Sequence, residues 1–134
     1  MSCKSAIYTA STGPVTVASG GTIPLGSRIT WYGNSIALNG NTIACNKQGF
    51  YNVNVSITAN PTIAGTVTAT LYKNGVPYPG ATVSDSVTTA GNPVSLPINT
   101  QIRVPCDGNT AALTLVLTGN ASIVNNTAIT VEKV

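Results

Sequence analysis

The sequence predicts an all-β sandwich, and three observations carry that expectation. Short runs of alternating or β-branched residues recur along the 134 residues, at roughly the 8–12-residue spacing of sandwiches and barrels. Turn-forming pairs separate them, among them Gly13-Pro14, Gly33-Asn34, Asn60-Pro61, Asn74-Gly75 and Gly119-Asn120. No segment carries an apolar stripe of helical period.

In chain order, Ala6–Thr9 and Val15–Val17 are brief strands split by Gly13-Pro14, and SGGTIPLGS reads as a loop around Ile23 and Leu25. Arg28–Tyr32 is a strand closed by Gly33-Asn34. Ser35–Leu38 and Thr42–Cys45 flank Asn39-Gly40-Asn41, whose residues tolerate the positive φ of a tight hairpin. Phe50–Ala59 stops at Asn60-Pro61. Thr66–Lys73 ends at Asn74-Gly75, and Val76–Val87 contains a Tyr78-Pro79-Gly80 loop. Val94–Val104 should break or bulge at Pro97, which has no N–H to give a ladder. Asp107-Gly108-Asn109 is a turn. Ala112–Leu117, Ala121–Val124 and Ile129–Val134 complete the set. The expected organisation is a loose attachment segment over residues 1–12 and one domain over residues 13–134.

Charge is the unusual feature. Charged residues make up 7% of the chain, against about 25% in ordinary proteins. Solubility therefore rests on neutral Thr, Asn and Ser. The six basic residues, Lys4, Arg28, Lys47, Lys73, Arg103 and Lys133, are scattered singly and give a net charge of +3. They form no basic run for a phosphate backbone, so no nucleic-acid partner is expected. No apolar run reaches the roughly 18 residues of a membrane span. The first ten residues, MSCKSAIYTA, carry no apolar core of a secretory signal. Cys3, Cys45 and Cys106 form no Cys-x-x-Cys pair and there is no histidine, so no zinc site is expected. Parity permits a Cys45–Cys106 disulfide, while the missing signal favours free thiols.

The run GFYNVNVSITA concentrates the charge anomaly. Tyr51, Val53, Val55, Ile57 and Ala59 alternate with Asn52, Asn54, Ser56 and Thr58, so one face is apolar and the other polar without a single charge.

Three stretches together resemble the tumour-necrosis-factor-like and complement-one-q-like jelly-roll superfamily. NGNTIACNKQGFYNVNVSI is similar to its turn, Gly-x-Tyr and long-strand signature, with Gly49 and Tyr51 as the pair. TATLYKNGVPYPGA is similar to its Lys-Asn-Gly hairpin, with Lys73, Asn74 and Gly75 in place. AALTLVLTGNASIVNNTAITVEKV resembles its last two strands. The resemblance covers residues 6 to 134. Val53 and Val55 stand where animal members carry aromatics, which resembles the bacterial and bacteriophage branch, including exosporium collagen-like glycoprotein heads and phage surface heads. The resemblance implies a ten-stranded jelly-roll β-sandwich assembled as a compact homotrimer. It also implies that Tyr51, Val53, Val55 and Ile57 fill the core while Phe50, Asn52, Asn54, Ser56 and Thr58 face neighbouring subunits.

The residues supply little for catalysis. With Glu132, Asp85 and Asp107 as the only carboxylates and no histidine, neither a paired-carboxylate nor a Cys–His mechanism is furnished. No enzyme activity, cofactor or metal is expected. Asp85 and Asp107, repeated about a three-fold axis, are the weighed calcium alternative, and lone carboxylates are poor hard-cation ligands. Three Asn-x-Ser/Thr matches begin at Asn54, Asn120 and Asn125 and are discounted without a secretory signal. Among the aromatics, Tyr78 in its Pro-flanked loop is the candidate glycan contact, and Trp31 is assigned to core or interface. The expected function is a structural and adhesive trimeric head on a phage particle (head fibre, capsid decoration or receptor-binding protein). Its expected partners are further copies of itself, other virion proteins through the N-terminal segment, and carbohydrate. A spore-coat or cell-surface module of the same fold is the alternative, and a sugar-active enzyme is the least favoured.

Overall fold

A computed structural model describes residues 5–33, 35–104 and 110–134. It contains ten strands: β1 (Ala6–Val17), β2 (Ser27–Tyr32), β3 (Ile36–Asn39), β4 (Thr42–Cys45), β5 (Gly49–Pro61), β6 (Gly65–Lys73), β7 (Val76–Val87), β8 (Val94–Val104), β9 (Ala111–Gly119) and β10 (Ser122–Lys133). They form two antiparallel five-stranded sheets. One has the order β2-β1-β10-β5-β8 and the other β3-β4-β9-β6-β7. The core lies between them and is almost wholly aliphatic, with Tyr51 as its one large aromatic. Strict alternation in β5 and β9 puts every second residue into this core.

Several boundaries differ from the sequence reading, each for a local reason. The expected division at residue 12 falls inside β1, because residues 6–12 pair with β10 along their length. Gly13-Pro14 does not split that strand. The register shifts between Thr12 and Val15, and β2 pairs no further than Ala10, so the Pro14 stretch is locally an edge where a missing N–H costs little. Pro97 likewise sits opposite Ser56 in an unbroken ladder because β8 is an edge strand. Asn125 bulges out of β10, which otherwise runs through both of the strands expected there. Its side-chain amide donates to the Asn60 side-chain oxygen. The Tyr78-Pro79-Gly80 segment is no loop: residues 78–81 of β7 oppose Leu71 alone on β6, a bulge of four residues against one within the strand.

Two local devices hold the ends together. In the β6–β7 hairpin Asn74 and Gly75 have φ of 54° and 79°, the pattern of a type I′ turn. Asn74 also docks on β9: its N–H donates to the Ala112 carbonyl and its Oδ1 accepts from the Ala112 N–H, both at 2.8 Å. The segment before β2 runs beside β9, with the Ile23 N–H donating to the Leu115 carbonyl at 2.8 Å. That course plugs Ile23 and Leu25, both fully buried, into the side of the core.

Cys3, Cys106 and Asp107 lie outside the described residues, and with them the Cys45–Cys106 pairing and the calcium alternative. Among the described residues no group of three or more His, Cys, Asp and Glu side chains gathers.

Candidate interface on the uncharged sheet face

Residues directly opposite one another in adjacent strands share a face, so the ladders assemble the outer surface of the β2-β1-β10-β5-β8 sheet row by row. One row reads Tyr32, Ala6, Glu132, Asn52 and Gln101. The next reads Thr30, Tyr8, Thr130, Asn54 and Asn99. Two further rows run Ala10, Ala128, Ser56, Pro97 and Thr12, Asn126, Thr58, Ser95. Phe50 opposite Arg103 closes the surface at one end.

All five residues expected at the subunit contact lie together on this surface. Phe50, Asn52, Asn54 and Ser56 are exposed and Thr58 is half-buried. The Gln101 side-chain amide donates to Asn52 Oδ1 at 3.1 Å. The neutrality read from one strand extends over four: the two central rows and the Thr12 row carry no charge, and Glu132 and Arg103 sit at one end. The middle of the surface is also flat, since Ala10, Ala128 and Ser56 are small. The amides and hydroxyls of such a face can be buried where they regain hydrogen bonds, whereas a buried unpaired charge costs several kcal/mol.

Tyr51, the partner of Gly49 in the expected motif, is fully buried, and its hydroxyl donates to the Lys47 carbonyl at 2.6 Å. Gly49 has φ of 140°, and a Cβ there would stand 3.0 Å from Cε of Lys133, whose stem crosses it. Cys45 lies close by, buried and with no disulfide partner among the described residues. Burial pushes the Cys45 thiol up to about 12, against a smaller opposing pull from Lys73. Burial, reinforced by Cys45, also raises the Tyr51 hydroxyl above its ordinary value.

Because the Cys45 pKa is higher folded than unfolded, its contribution to stability is complete below about pH 9. It is lost as pH climbs towards about 12, since the unfolded chain releases the proton first. Iodoacetamide at pH 8 is accordingly expected to leave Cys45 unmodified in native protein and to alkylate it in urea, as read by peptide mass mapping. The urea midpoint should fall between pH 9 and 12, less steeply in Cys45→Ala.

Tyr78 leaves its expected loop, and Trp31 loses the core half of its core-or-interface expectation. Tyr78 is half-buried in strand β7, with its hydroxyl donating to the Gln101 carbonyl at 2.8 Å and Lys73 Nζ 5.9 Å from its ring centre. It ties the two sheets together along one edge and is not a free loop aromatic. Trp31 is not in the core: it is 55% exposed on edge strand β2, with the Arg28 guanidinium 3.6 Å from its ring centre. Trp31, Tyr32, Tyr8 and Ala6 border an apolar depression of about 210 Å³. A strand end with an exposed aromatic has no sequence signature that separates it from a buried one.

No protein-family model and no curated protein matches the sequence. Solved structures do match its architecture over nearly the whole length. Murine APRIL superposes with a TM-score of 0.74 at 10% identity, covering 98% of this chain and 99% of that one. The fold is the tumour-necrosis-factor/complement-one-q-like jelly roll. The globular domain of zebrafish complement 1qA shares this jelly roll with a TM-score of 0.69 at 7% identity, covering 95% and 94% of the two chains. The vertex protein P5 of phage PRD1 shares it with a TM-score of 0.59 at 17% identity, covering 100% and 99%.

Proposed function

We propose that this chain is a non-enzymatic structural and adhesive head domain that acts as a homotrimer on the surface of a bacteriophage particle. The observation that carries this reading is the end-to-end likeness of its jelly roll to the PRD1 vertex protein, over 100% of this chain and 99% of that one. The uncharged, flat surface of the β2-β1-β10-β5-β8 sheet supports the trimer, because a face of neutral amides and hydroxyls can be buried against its own copies and hydrogen-bond across them. Phe50, half exposed at the edge of that face, serves as its apolar anchor. The residues before β1 tether the head to the particle, and the loops at the far end meet host or mucus glycans. Three weak sites on one rigid head then act together, so avidity replaces affinity.

Sedimentation of the purified chain at micromolar concentration is expected to give three times the 13.6 kDa chain mass, and antibody against it should decorate intact released particles. A monomer overturns the assembly. Protein found in host-cell fractions and absent from purified particles overturns the location.

A further inference from the structure

Four of the six basic residues, far apart in sequence, converge at one end of the sandwich. Lys47 lies in the β4–β5 connection, where its carbonyl accepts the Tyr51 hydroxyl. Lys133, opposite Tyr51 in the β10–β5 ladder, lays its stem over Gly49. Arg103 stands opposite Phe50 at the end of β8. Lys73 closes β6, and its Nζ donates to the Arg103 carbonyl at 3.0 Å. Glu132, next to Lys133 on β10, is the one side-chain carboxylate at this end among the described residues. Asp85, opposite Val67 early in β6, stands at the far half of the other sheet. Among the described residues this end holds four side-chain cations against one side-chain carboxylate.

The described chain both enters and leaves the sandwich here. The Lys133 N–H donates to the Ser5 carbonyl at 2.8 Å, and the Val134 N–H donates to the Phe50 carbonyl at 2.9 Å. Whatever a preceding segment tethers is therefore held against this same end, at high effective concentration.

We propose that this basic end is a docking face for an acidic protein surface, the one against which the head is seated. The cations come from β8 and β10, which flank β5 and so stand about 10 Å apart, from the β4–β5 connection, and from β6 in the second sheet, about 10 Å away. That spread matches several carboxylates on an extended partner better than one small anion. The seat is electrostatic. It rests on the proposed placement of the head on a particle but not on the trimer.

The test uses the full chain and a defined probe, poly-L-glutamate, with heparin as the non-protein polyanion and neutral dextran as control. Poly-L-glutamate is expected to bind in low salt more tightly than heparin and to be released as salt rises, because exposed charges are screened within about 8 Å at physiological ionic strength. Lys47→Glu should weaken binding on the order of tenfold, and Lys47→Glu with Lys133→Glu should abolish it. Arg28→Glu makes the same charge change on β2 and should leave binding within about twofold. Equal loss in Arg28→Glu overturns the proposal, because net charge alone would then explain binding. Tighter binding of heparin overturns it in favour of a sulfated or phosphorylated polymer, and failure to bind poly-L-glutamate overturns it outright. Sedimentation of each variant separates these outcomes from the assembly, since a three-chain mass that persists while binding is lost leaves the trimer standing.

Discussion

Replacing Asn54 with Asp is expected to convert the proposed trimer to monomers at neutral pH. Asn54 occupies the middle of the uncharged face, between Thr130 on β10 and Asn99 on β8. Each chain of a trimer contributes one copy, so the substitution forces a carboxylate into a contact without a counter-ion at every interface. Leaving such a charge buried and unpaired costs about 3 kcal/mol or more, which corresponds to at least about a hundredfold in association. The folded monomer should be indifferent, because Asn54 is exposed within it and exposed substitutions usually stay within about 0.5 kcal/mol. Acid should reverse the effect: below about pH 4 the new carboxyl is neutral and the three-chain mass should return. Thr66→Asp, exposed on the outer surface of the other sheet, is the matched control and should sediment as the parent does. A three-chain mass for Asn54→Asp at pH 7 would remove this face from the interface.

Replacing Gly26 with Ala is expected to cost about 3 kcal/mol of stability and about 10 °C in Tm. Two penalties coincide. Gly26 has φ of 76°, and a Cβ there would stand 2.0 Å from the Ala10 carbonyl oxygen. The left-handed conformation costs an L-residue roughly 1–2 kcal/mol. The rest comes from pushing the segment that carries Leu25 away from β1, which loosens a fully buried side chain. Gly40→Ala separates the two penalties. Its φ is 60°, and nothing lies within 4 Å of the added atom, so it should cost about 1 kcal/mol. Thermal unfolding of the two variants side by side checks the claim, and equal Tm shifts would show that the contact with β1 is not tight.

Much of the fold was legible residue by residue. The alternation in Gly49–Pro61 and the Asn74-Gly75 turn each mark structure through local chemistry, the first by period and the second by positive φ. The errors were also local in form. Gly13-Pro14, Pro97 and Tyr78-Pro79-Gly80 carry the local chemistry of breaks, yet all three lie within strands, because a strand lacking a neighbour on one side, or bulged against its partner, tolerates a missing N–H. Whether a strand is an edge is a property of the sheet, so no window of sequence reports it. The core half of the expectation for Trp31 fails for the same reason, since β2 pairs on one side only.

The two surfaces that matter divide along the same line. Composition and alternation by themselves determined that one face of β5 is neutral, because side-chain direction alternates strictly along a strand. Pairing decided that Ala10, Thr130 and Asn99 extend that face across the sheet, since partners in register can be forty or more residues apart. The basic end is wholly tertiary. Lys47, Lys73, Arg103 and Lys133 are separated by 26, 30 and 30 residues, each a passage out and back through an antiparallel sandwich, and they read as isolated charges until the strands turn and bring their ends together.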